Sequence, residues 1–106
     1  MNATNKRILF FMRDIIEEYL DGKLDREGAV DKLFFSLAST DLEAIYDIDV
    51  ESIIADCYHS IMHLTEKGYE TTDFEMAYFR DCINGVRVYN LDEKMDLTRK
   101  FFETEN

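Results

Sequence analysis

The chain has 106 residues with no proline, four glycines and no tryptophan; 46% is hydrophobic and 33% charged, the proportions of a folded domain rather than of a disordered chain. Against 12 Lys and Arg stand 23 Asp and Glu, a formal net charge of -11, so nucleic-acid phosphates and anionic membranes are repelled and neither is expected as a partner. One helical domain over residues 1–106 is expected, because nothing in the sequence breaks helices and apolar residues recur at three and four rather than at two.

The first predicted helix runs from Asn5 to Asp21, with Ile8, Met12, Ile15 and Tyr19 on its apolar stripe and Leu9, Ile16 and Leu20 beside them. Gly22 is placed to end it in the left-handed conformation. A second helix from Asp25 to Ala38 sets Ala29, Val30, Leu33, Phe34 and Leu37 inward, and the short link predicts an antiparallel hairpin. Ser39 to Asp49 is expected as a polar connector with one turn of helix signalled by Thr40 and Glu43. A third helix is predicted from a cap at Asp49 through Ile53, Ile54, Cys57, Ile61 and Leu64 to Lys67, closed by Gly68. Thr72 with Glu75 opens a fourth helix through Phe74, Tyr78, Phe79 and Ile83. Asn90 with Glu93 opens a short last one through Leu91, Met95, Thr98, Phe101 and Phe102. The fold class is therefore all-α, an antiparallel bundle of four or five helices.

The acid is unevenly spread. From Leu33 to Glu66 there is no Lys or Arg, while Asp41, Glu43, Asp47, Asp49, Glu51, Asp56 and Glu66 all fall there. Dense carboxylates can take the places of phosphates in the groove of a basic protein and speed its encounter. Tyr46 lies inside this segment, and a tyrosine beside carboxylates at an exposed turn is a frequent anchor of protein interfaces. Asp41, Glu43, Tyr46, Asp47, Asp49, Glu51 and Asp56 are accordingly the candidate partner-binding residues. The competing account of the same charge is a solvated face that only keeps the chain in solution.

Chemistry of other kinds finds little support. His59 and His63 are four apart, as two metal ligands on one helix would be, with Asp56 and Glu66 on the same predicted face; two imidazoles leave a tetrahedral site half filled, and this face is the solvated one. Asp47, Asp49 and Glu51 imitate the opening of a calcium loop, but Ser52 and Tyr58 stand where its glycine and bidentate glutamate belong. No nucleophile elbow, Cys-x-x-Cys pair or phosphate-cradling glycine loop is present, so neither an enzyme nor a cofactor or metal is expected. Cys57 and Cys82 are too few for a disulfide framework and are expected as buried thiols of a cytoplasmic protein. Lys6 and Arg7 precede an apolar run that is too short for a signal peptide, and no stretch approaches the roughly 18 apolar residues of a membrane span.

Two segments bear a family likeness. Glu18 to Phe34, an amphipathic helix end, a glycine turn and a second helix, resembles the corresponding part of the colicin D-type bacteriocin immunity proteins, and Tyr69 to Ile83 is similar to that family's acidic lead-in to its final core helix. The resemblance covers about a third of the chain and implies a cytoplasmic antidote that occludes the groove of a basic, tRNA-cleaving toxin domain. The alternative is a small helical regulatory or adaptor protein, open to pairing with a second copy, that binds through an exposed apolar groove. Exposed rings from the pairs Phe10-Phe11 or Phe101-Phe102 would favour it.

Overall fold

A computed structural model describes residues 2–47 and 52–105 of the chain. Those residues form an all-α bundle with no strand: α1 (Ala3–Leu20), α2 (Arg26–Ser36), α3 (Ser39–Tyr46), α4 (Ile53–Met62) followed by a 3-10 turn (His63–Thr65), α5 (Asp73–Ile83) and α6 (Leu91–Glu105).

Local signals set most helix ends. The Asn2 side chain accepts from Asn5 N–H at 2.8 Å and starts α1 two residues before the expected position. Its exit is the left-handed Gly22, at φ 80°, which lets Lys23 N–H return to the Glu18 carbonyl at 2.8 Å. Asp25 then caps α2 through Gly28 N–H at 2.7 Å, and Lys32 Nζ meets Glu18 Oε1 at 2.9 Å across the hairpin. The Thr72/Glu75 capping box forms as expected, and Asn90 Oδ1 accepts from Glu93 N–H at 2.9 Å.

The middle third differs from expectation. The connector is a full helix, α3, which raises the helix count to six. Its start uses Ala38 and Asp41 rather than Thr40 and Glu43: Asp41 Oδ2 accepts from Ala38 N–H at 3.0 Å. What stabilises so short a helix is packing, since Leu42, Ala44 and Ile45 all rest on the core. The next described helix begins after a cap at Ser52 and ends at Met62 rather than Lys67; Asp49, the expected cap, lies outside the described residues.

Ile8, Met12, Ile15 and Ile16 of α1, Leu33, Ile54, Cys57, Ile61, Leu64, Met76 and Phe79 are all but fully buried in one cluster. α1 is the axis of that core and touches α2, α3, α4 and α5. The paired phenylalanines split: Phe11 packs against the core while Phe10 is exposed. Phe34, predicted to point inward, is 55% exposed, because Leu33 and Ala29 already fill the inner face of α2. Of the two thiols only Cys57 is buried; Cys82 is partly open.

Candidate functional site

The exposed face of α3 carries three of the expected residues together. Glu43, Tyr46 and Asp47 stand at i, i+3 and i+4, so they share one side of the helix, and all three are exposed. The opposite side buries Asp41 and Ile45. Tyr46 is 66% exposed; its ring lies 6.4 Å from that of Tyr58 and 6.4 Å from that of His59, which ties the face to α4. Burial first, and then the neighbouring Tyr46 phenol, hold the Tyr58 hydroxyl above its usual pKa.

The charges on this face oppose the helix that bears them. Glu43 and Asp47 are like charges at i and i+4, and Asp47 sits at the C-terminal end, where the helix dipole is negative and no basic residue occupies the last turn. Neither forms an ion pair among the described residues. Asp49 and Glu51, the continuation of the acidic set, lie outside the described residues.

Asp41 and Asp56 belong elsewhere. Both fall in the base-free stretch of sequence, yet each is met by a cation brought from another helix. Arg7 of α1 pairs with Asp41, whose side chain is 7% exposed. Burial raises the Asp41 carboxyl, but the Ala38 N–H and the Arg7 guanidinium outweigh it and hold the group below its ordinary value. Asp56 faces inward: its two oxygens lie 2.9 and 2.7 Å from Lys94 Nζ, and Tyr89 OH donates to Oδ2 at 2.8 Å. Lys94 also lies 4.8 Å above the Phe79 ring. With their hydrogen-bonding capacity spent inside the fold, these two carboxylates are set apart from the α3 face.

No protein-family model, curated protein or solved structure matches this chain.

The remaining candidates are dispersed. His59 and His63 are both exposed, while Asp56, expected beside them, is drawn inward by Lys94; among the described residues no group of three or more His, Cys, Asp and Glu is placed to hold a metal ion. The Cys57 thiol is pushed well above its usual pKa by burial and by Asp56, so it stays protonated and a poor nucleophile. An open cleft at Tyr89, Asn90, Leu91 and Asp92 has no convergent set of reactive groups. No helix of the described residues is long and apolar enough to cross a membrane. Sequence reasoning missed Arg7, Tyr89 and Lys94 as partners of the acidic segment. They lie 33 to 38 positions from their carboxylates, beyond the reach of any local pattern.

Proposed function

We propose that this protein is an acidic inhibitor of the bacteriocin-immunity kind, which lays the Glu43, Tyr46 and Asp47 face of α3 over the groove of a basic nuclease domain, that of a tRNA-cleaving toxin. The observation that carries this reading is the like-charge pair Glu43 and Asp47 at an unfavourable helix end, with a largely exposed tyrosine between them. Local rules broken without internal compensation are expected where a surface serves a partner. In the complex the partner's Lys and Arg supply the missing cations, the Tyr46 ring packs at the centre of the contact, and the groove is closed to RNA. The resemblance of Glu18 to Phe34 and of Tyr69 to Ile83 to the colicin D-type immunity proteins supports the same reading.

The test is capture and inhibition of the basic domain of a toxin encoded beside this chain. Inhibition is expected, with an association rate that falls on the order of tenfold or more between low and high salt. A nuclease left active in the presence of excess protein, or an association rate insensitive to salt, would overturn the proposal.

A second reading has its own observation. Phe10, at 44% exposure, and Phe34 and Phe35, at 55% and 78%, put rings in water on α1 and α2. A helical adaptor would use such rings in an apolar contact. Retention of the partner after neutralising Glu43 and Asp47 would favour this reading over the first.

A further inference from the structure

Twice in this chain an arginine joins an aromatic ring to a carboxylate. Arg13 lies 4.9 Å over the Phe10 ring while its Nη2 meets Asp14 at 3.2 Å, ring and carboxylate standing at i and i+4 on α1. Arg26 lies 5.8 Å over the Tyr19 ring and 3.8 Å from Asp73, and the Tyr19 hydroxyl donates to that same carboxylate at 2.6 Å. A guanidinium suits both groups at once: its flat face rests on the ring, and the N–H donors around its edge point out toward the carboxylate.

The outer face of α3 repeats this set without the cation. Tyr46 stands one turn from Glu43 and next to Asp47, and all three are exposed. Among the described residues no cation lies over the Tyr46 ring and none pairs with either carboxylate. No neighbour in sequence supplies one, because Leu33 to Glu66 holds no Lys or Arg. The ring is nonetheless held in place: Tyr58, itself 6% exposed, and His59 each meet it at 6.4 Å from α4, and it remains 66% exposed. A ring braced in this way has little freedom left to lose when a ligand docks on it.

We infer that the Tyr46 face receives an arginine side chain of the basic partner, in preference to a lysine. The inference rests on the reading of α3 as the partner-binding face and names the group that this face selects. The guanidinium stacks on Tyr46 while its edge donors reach Glu43 and Asp47. An ammonium in the same place is a strongly hydrated point charge, with no flat face for the ring and no paired donors for a carboxylate. The net charge of -11 draws both cations alike, so it adds affinity without choosing between them.

Oligoarginine and oligolysine peptides of equal length, titrated into the full chain by calorimetry and followed in its NMR spectrum, test the inference. Oligoarginine is expected to bind about threefold or more tightly than oligolysine, and to shift the Tyr46 ring resonances further. Tyr46→Leu, at an exposed position, should keep the helix content seen by circular dichroism, change oligolysine affinity little and remove the preference; Tyr46→Phe, which keeps the ring, should retain it. Equal affinity for the two peptides, or a preference that survives Tyr46→Leu, overturns the inference. A nuclease inhibited by a chain without arginine preference would remove this inference and leave the proposed function standing; arginine preference in a chain that inhibits no nuclease would do the reverse.

Discussion

Lys94 reaches from α6 to place its ammonium 2.7 Å from Asp56 Oδ2 on α4, with the lysine side chain 5% exposed and the aspartate 15%. This pair fastens the last helix to the centre of the bundle, because Tyr89 just before α6 donates to the same carboxylate and Tyr78 of α5 bonds both the N–H and the carbonyl of Asn90 at 3.2 Å. Removing one partner leaves the other buried and unpaired. Lys94→Ala is expected to destabilise by about 3–5 kcal/mol in urea unfolding. The double change Lys94→Met with Asp56→Asn should recover part of that loss, since it removes both charges while the amide oxygen still accepts from Tyr89. A double variant no more stable than Lys94→Ala would show that the pair is not what holds α6.

Asp41 links α1 to α3 and makes stability depend on acid. Its carboxyl is held below its ordinary 3.8 by the Ala38 N–H and Arg7. A group depressed in this way contributes its stability above the unfolded pKa and loses it as pH falls through the lower folded value. The share that depends on Asp41 is therefore intact at neutral pH and disappears below about pH 4. Asp41→Asn should be less stable than the parent at pH 7, and the difference should shrink as pH drops toward about 2. Urea titrations across that range check it; a constant difference would contradict the assignment.

The start of α5 rests on one reciprocal pair of bonds. Thr72 Oγ1 accepts from Glu75 N–H at 3.1 Å, and Glu75 Oε1 accepts from Thr72 N–H at 3.3 Å. Thr72→Ala should cost about 1 kcal/mol, and Thr72→Ser should retain most of it. Thermal unfolding would read this as a shift of about 4–8 °C.

Glu43 and Asp47 should trade stability against binding. Asp47→Asn removes a negative charge from a helix end that disfavours it, and Glu43→Gln removes the like charge one turn away. Together they are expected to raise stability by about 0.3–1 kcal/mol while weakening the captured nuclease complex. Tyr46→Ala, at an exposed ring, should leave stability within about 0.5 kcal/mol and also weaken the complex. Unchanged affinity in all three variants would remove the α3 face from the interface.

The fold class was legible because it depends on short-range pattern. Stripes such as Ile8, Met12 and Ile15, the Gly22 turn and the Thr72/Glu75 box act within one or two helical turns, and each is present in the folded chain. The α3 helix was not, since eight residues with little intrinsic tendency form a helix only when Leu42, Ala44 and Ile45 find a core to rest on. Phe34 misled for a related reason: periodicity names a side of the helix, but Leu33 and Ala29 decide how much of that side the core can take.

The acidic stretch from Leu33 to Glu66 divides between the two levels. Its sequence alone determined the excess of carboxylates and the absence of any local cation. Tertiary structure decided which of them keep their charge on the surface: Arg7 and Lys94 arrive from distant positions to neutralise Asp41 and Asp56, while Glu43 and Asp47 are left beside Tyr46 on an exposed face. The physical reason is that charge is additive along a chain, whereas compensation acts over a few ångströms and only folding sets those distances.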